Sequence, residues 1–101
     1  MTSETGTEQD TYLETSRGGA LVVELDATGA VVRVQIEPEV NASWSADTLS
    51  ERLLFLHHLA LMRVRCAQRQ RMNELGADMP PSDVYPSEDE IADYRARNIN
   101  F

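Results

Sequence analysis

The sequence lacks lysine: all nine basic residues are arginines, and they stand against seventeen acidic residues. The net charge of −8 favours solubility and does not favour binding of a polyanion such as nucleic acid. The only cysteine, Cys66, excludes an intrachain disulfide and fits a reducing compartment. The longest nearly apolar run, residues 53–62, contains two histidines and is too short to span a bilayer.

The start of the chain has neither the basic residues nor the apolar run of a secretory signal peptide, so we expect none to be present. Residues 1–10 are polar and acidic, and this composition predicts a disordered tail. These features, together with the lone cysteine, predict a cytoplasmic protein.

The next part of the chain has the pattern of an antiparallel sheet. Three short segments, Thr11–Ser16, Ala20–Asp26 and Ala30–Glu37, are rich in β-branched residues and are separated by turns that contain glycine. They predict a three-stranded β-meander. Apolar and polar residues alternate along the third segment, so we expect that strand to bury one face in a core.

Pro38 is predicted to end the third strand, because it cannot donate a hydrogen bond to the sheet, and residues 39–43 are predicted to form a loop. A long helix is predicted from about Ala46 to Leu75, with Ser45 as its cap. Its first half is apolar on almost every side, and a helix of this kind in so short a chain needs a partner in addition to the sheet. Its second half is polar and rich in arginine and is expected to project. We predict a homodimer that forms through the apolar helix and the sheet edge, with an interface that includes Leu54, Phe55, Leu61 and Met62.

The chain is expected to end in a linker and a short helix. Residues 78–85 contain adjacent prolines, and Ser87 begins a capping-box pattern that opens a helix to about Arg97. The predicted organisation is a tail at 1–10, an α+β domain at 11–76, and a Pro-containing linker with an acidic helical segment at 77–101. The fold class is therefore α+β, a three-stranded antiparallel meander followed by one long helix and a short C-terminal helix.

No set of residues predicts catalysis, a cofactor or a metal. His57 and His58 are adjacent, so on a helix they point about 100° apart and cannot easily bind one ion. Cys66 lies near arginines that could activate it, but no base or oxyanion site is identifiable, and a packing role is favoured. No P-loop, dinucleotide-binding or zinc-finger spacing occurs. We therefore predict a protein that is not an enzyme.

Two interpretations of the arginine-rich helix remain open. The side chains could hold phosphates, or they could pair with the acidic segments and line a protein interface, where arginine is enriched. The second interpretation is favoured by the net charge and by the absence of aromatic residues among the arginines. Residues predicted to contact a partner or nucleic acid are Arg63, Arg65, Arg69, Arg71, Tyr85, Ile91, Tyr94 and Phe101.

Residues 18–71 resemble the YbaB/EbfC family of small bacterial nucleoid-associated proteins. The segments that carry the resemblance are L-V-V-E-L-D, a turn with Gly29, V-V-R-V-Q-I-E-P-E-V, and a helix that begins A-D-T-L-S-E-R-L. The resemblance implies a dimer with this fold, and it implies DNA binding as an alternative function. The family's long N-terminal helix has no counterpart here, which weakens the expectation of DNA binding.

The overall layout also resembles small mycobacterial Esp proteins, which are associated with type VII (ESX) secretion. The segment Y-P-S-E-D-E-I-A-D-Y-R-A-R-N carries this resemblance, and Tyr85 and Asp89 match the Y-x-x-x-[DE] secretion tag. The W-x-G turn that usually accompanies the tag is missing, since Ser45 and Ala46 follow Trp44. The resemblance implies an accessory or chaperone-like protein that binds secretion-system proteins, and it leaves export by a type VII system open.

Overall fold

The fold is α+β, as the sequence predicts. The computed structural model describes residues 10–101, so the tail expected at residues 1–10 lies, except for Asp10, outside the described residues. Within residues 10–101, three strands are followed by three helices, in the order β1 (Thr11–Thr15), β2 (Leu21–Asp26), β3 (Val31–Ile36), α1 (Pro38–Ser43), α2 (Ala46–Glu74) and α3 (Glu88–Asn98).

The strands form one antiparallel sheet in the order β1-β2-β3. The turn between β2 and β3 needs a glycine because Gly29 has a φ of 94°. Asp26 organises this turn, since its Oδ1 accepts hydrogen bonds from the Thr28 hydroxyl and from the backbone N–H groups of Thr28 and Ala30. The Thr28 hydroxyl, followed by the two N–H groups, holds the pKa of Asp26 below its ordinary value.

The core lies between the sheet and helix α2. Ser45 caps α2, and its Oγ accepts a hydrogen bond from the Thr48 N–H at 3.1 Å, as the sequence predicts. The helix packs over β1 and β2 rather than over the whole sheet. Fully buried side chains from both layers form the centre of this core: Leu21, Leu25, Leu56, Leu59 and Val64.

The loop predicted at residues 39–43 is instead part of a short helix, α1. Pro38 stands at its first turn, where the fixed φ of proline suits a helix and the missing N–H costs nothing. Val40 is only 4 % exposed and anchors α1 to the core. Pro38 was predicted only to end the third strand, and its role at the start of a helix was missed.

The second half of α2 does not project, contrary to expectation, because the C-terminal segment folds back along it. The Asn73 side chain makes two hydrogen bonds to the backbone of Met79: its Nδ2 donates to the Met79 carbonyl at 3.1 Å, and its Oδ1 accepts from the Met79 N–H at 2.8 Å. Further along, Gln70 Nε2 donates to Glu88 Oε2 at 2.9 Å. These contacts hold the linker and the start of α3 against α2.

Helix α3 completes the fold by packing against α2. The predicted capping box is present, with Ser87 Oγ accepting from the Glu90 N–H and Glu90 Oε1 accepting from the Ser87 N–H. Ile91 is 7 % exposed, and the chain end returns to the sheet, where the Arg17 N–H donates to the Phe101 carbonyl at 2.7 Å.

Among residues 10–101, no helix is long and apolar enough to cross a membrane.

Candidate protein-binding groove

Strand β3 is exposed on both faces, although a buried face was predicted. Its residues Val34 and Ile36 pair with Val23 and Leu21 and therefore point to the same side of the sheet as these buried residues. They are nevertheless 48 % and 38 % exposed. One helix is only about 10 Å wide and strands lie about 4.8 Å apart, so α2 covers two strands and leaves the third bare.

The bare side of β3 and the flank of α2 enclose an apolar groove. Leu53 and Leu54 project from the helix side, and Leu54 is 67 % exposed. The groove has a volume of about 370 Å³. We refer to it as the β3–α2 groove and define it by its lining residues, Val23, Val31, Val34, Ser50, Leu53, Leu54 and His57.

The four residues predicted to form a dimer interface do not share one surface. Leu54 lies in the groove. Leu61 lies near the β2–β3 turn, where its Cδ1 would be 3.2 Å from a Cβ at position 29. Phe55 and Met62 are half-buried and pack against the core. The sequence predicted a role for the sheet edge but not the β3 residues that line the groove, because the exposure of β3 depends on how many strands one helix can cover.

Arg63, predicted to contact a partner, is engaged within the chain by Glu14. The Glu14 carboxylate is buried, and its Oε2 accepts hydrogen bonds from Arg63 Nη1 at 2.7 Å and from Arg95 Nη2 at 2.8 Å. Arg63 Nη1 also donates to the Leu13 carbonyl at 3.0 Å. Sequence reasoning did not identify this ion cluster, and the one available signal was an acid at an inward-facing strand position.

The other three arginines predicted as contacts differ in their environments. Arg69 Nη1 donates to the Met79 carbonyl at 3.2 Å and so helps to hold the linker. Arg65 Nη1 donates to the Gln68 amide oxygen on the same helix at 3.3 Å. Arg71 is exposed near the end of α2.

The predicted C-terminal contact residues mostly pack within the chain. Ile91 is buried, and the ring of Tyr94 lies 4.8 Å from the ring of His58. Burial raises the pKa of Tyr94, and the nearby positive charge of Arg97 opposes this effect. The Phe101 ring faces the Arg52 guanidinium, whose Cζ lies 5.0 Å from the ring centroid. Tyr85 is half-buried in the linker.

The candidate nucleophile and the possible metal ligands are placed as follows. Cys66 is 4 % exposed and belongs to the core cluster. Within residues 10–101, no three side chains of His, Cys, Asp or Glu converge in a way that could hold a metal ion. The β3–α2 groove is the feature that most resembles a binding surface, because it combines exposed apolar side chains with an open strand edge.

Comparisons with known proteins do not add to this description. No protein-family model, no curated protein and no solved structure matches the chain. The function is therefore inferred from the groove and from the contacts of the arginines.

Proposed function

We propose that the chain is a non-enzymatic protein-binding protein and that the β3–α2 groove is its binding surface. The observation that carries this proposal is the exposure of β3 on both faces beside Leu54, which is 67 % exposed. A contiguous apolar surface on a small protein is costly in water and typically marks an interaction site. The adjacent strand edge adds main-chain hydrogen bonds that a protein partner can use.

An accessory or chaperone-like role in type VII secretion is the specific form of this proposal. Its support is the resemblance of the C-terminal segment and of the overall layout to secretion-associated proteins. A groove that accepts an apolar segment suits a protein that accompanies another protein before export. In the folded-back C-terminal segment Ile91 is buried and Tyr94 packs against His58, whereas Leu54 of the groove is 67 % exposed.

DNA binding is the alternative that the YbaB-like core suggests, and the arginine contacts weigh against it. Arg63 pairs with buried Glu14, and Arg69 holds the Met79 carbonyl. Both guanidinium groups therefore have part of their hydrogen-bonding capacity engaged within the chain, which leaves less of it for phosphate. The net charge of −8 adds a repulsive field toward a polyanion.

The test is affinity purification of the tagged full-length chain from its native cells, with and without nuclease, in three versions. Leu54→Asp places a charge in the groove at a side chain that is 67 % exposed, so the fold should tolerate it. Val84→Asp introduces the same charge at a side chain that is 59 % exposed and lies outside the groove. We expect secretion-system proteins with the parent and with Val84→Asp, and at least tenfold less with Leu54→Asp.

Circular dichroism establishes that both variants are folded. Equal recovery of the same proteins by Leu54→Asp would show that the groove is not the binding surface. Recovery of nucleoid proteins that disappear when nuclease is added would favour DNA binding instead.

A further inference from the structure

The hydrogen-bonding direction of each β3 residue follows from the ladder with β2. The Glu37 N–H donates to the Ala20 carbonyl at 2.9 Å. In an antiparallel pair, hydrogen-bonded and non-hydrogen-bonded positions alternate. Positions 33, 35 and 37 therefore direct their N–H and C=O groups to β2, whereas Val34 and Ile36 direct theirs to the open edge.

The regular part of this edge is short and has clear ends. At one end the register shifts between Glu24 and Leu25, which inserts Val32 as a bulge and interrupts regular pairing. At the other end Pro38 has no N–H and begins α1. Glu37 is still extended, with a φ of −64° and a ψ of 142°. The regular stretch is therefore 33–37, and its centre is Gln35.

We propose that a second copy of this chain pairs with the open edge of β3, beside the β3–α2 groove, by antiparallel pairing of β3 with β3, with the two-fold axis at Gln35. This pairing uses the whole regular stretch of both strands. It places Val34 opposite Ile36 of the second copy, where their outward N–H and C=O groups form the ladder. It rests on the proposed function only in the premise that the exposed β3 surface binds protein.

The side chains on both faces complement each other in this register. On the groove face, Val34 and Ile36 of both copies join into one apolar floor. On the opposite face, Arg33 stands opposite Glu37 of the second copy, and the symmetry forms this opposite-charge pair twice. Arg33 Nε already bonds Glu24 at 2.9 Å, but its side chain remains 43 % exposed and can reach a second carboxylate.

Neighbouring registers are less favourable for specific reasons. A shift by two residues in one direction pairs Ile36 with the bulged Val32 and removes both opposite-charge pairs. A shift by two in the other direction places Pro38 in the ladder opposite Val34. A shift by one residue would turn the apolar face of one strand to the polar face of the other.

The occupant is a second copy rather than an unrelated strand because the edge complements itself. A two-fold axis at Gln35 matches apolar to apolar and positive to negative with no further adjustment. The axis is perpendicular to the sheet, so both α2 helices lie on the same side of a continuous sheet. Leu54 of each copy then borders the joined apolar floor.

Disulfide trapping in full-length protein tests the register, with Cys66→Ala as the background. Positions 33, 35 and 37 form non-hydrogen-bonded pairs in the proposed dimer, with Cα atoms about 4.5 Å apart, a separation that a disulfide can bridge. We expect Gln35→Cys to form a disulfide-linked dimer on mild oxidation. An equimolar mixture of Arg33→Cys and Glu37→Cys should form a mixed dimer, whereas each alone should stay monomeric on a non-reducing gel.

The control is Val22→Cys, which lies on the same face as Gln35 but one strand away from the edge. We expect no cross-linking there, and we expect the mass of a dimer by light scattering for the unmodified chain. A monomeric mass together with no cross-link at position 35 would overturn the proposal, and so would cross-linking of Arg33→Cys alone.

The dimer and the proposed function can fail separately. If the chain is monomeric but partner proteins are still lost with Leu54→Asp, the proposed function stands without the dimer. If the dimer forms and no partner depends on Leu54, the proposed function fails and the dimer stands.

Discussion

Glu14 illustrates how one residue can join three elements of this fold. Its carboxylate lies on β1 and receives Arg63 from α2 and Arg95 from α3 on the same oxygen, Oε2. The carboxylate is buried, whereas the arginine side chains are 35 % and 47 % exposed. Water therefore screens part of the interaction, and its contribution is smaller than that of a fully buried ion cluster.

Glu14→Ala should lower the free energy of unfolding by about 1–3 kcal/mol, because it leaves two guanidinium groups without their shared partner. Urea denaturation followed by circular dichroism measures the change. The matched control is Thr15→Ala, an exposed neighbour on the same strand, which should cost less than about 0.5 kcal/mol. Equal costs for the two variants would show that the cluster contributes no stability of its own.

At the scale of elements, α3 depends on its cap and on its contacts with α2. Ser87→Ala removes the side-chain oxygen that accepts the hydrogen bond from the Glu90 N–H, and it should lower the free energy of unfolding by about 1 kcal/mol. Because α3 is short, we expect faster amide hydrogen exchange along residues 88–98 as well. Ser50→Ala, in the interior of α2, provides the control: it should not lower the free energy of unfolding, since alanine favours a helix more than serine does, and it should leave exchange in α3 unchanged. Unchanged exchange in α3 would indicate that packing through Ile91 alone determines its stability.

Elements that depend on local signals were predictable from the sequence, and those that depend on distant contacts were not. The strands follow from β-branched runs between glycine turns, and Ser45 and Ser87 mark the starts of their helices. The return of the C-terminal segment depends instead on Asn73 meeting Met79 across a turn. The bare face of β3 is also invisible locally, because its alternation is that of a covered strand. Leu54 was predicted as an interface residue because excess apolar surface on a helix is visible in the sequence.

For the whole molecule, the distribution of charge matters more than the net value of −8. Three of the arginine–carboxylate pairs join different elements: Arg33 with Glu24, Arg63 with Glu14, and Arg95 with Glu14. These pairs hold the sheet, α2 and α3 together, and they reduce the positive charge available to an outside polyanion. The remaining excess of acid keeps copies of the chain apart unless a specific contact offsets the repulsion.

The opposite-charge pairs of the proposed dimer are such a contact, and Glu37→Arg should reverse their effect. Position 37 is exposed and makes no side-chain capping bond to α1, so the monomer should fold normally. The variant places a second guanidinium opposite Arg33 at both symmetry-related positions, and repulsion of about 0.5–1 kcal/mol per pair raises the dissociation constant roughly tenfold. Analytical ultracentrifugation at low and at high salt measures the dissociation constants of both proteins, and the difference between them should shrink at high salt because ions screen the repulsion.

Glu51→Arg makes the same change of net charge at an exposed position of α2 outside the strand edge. It should leave dimerisation unchanged or slightly stronger, because it lowers the net repulsion, and a comparable loss with Glu51→Arg would contradict pairing between positions 33 and 37.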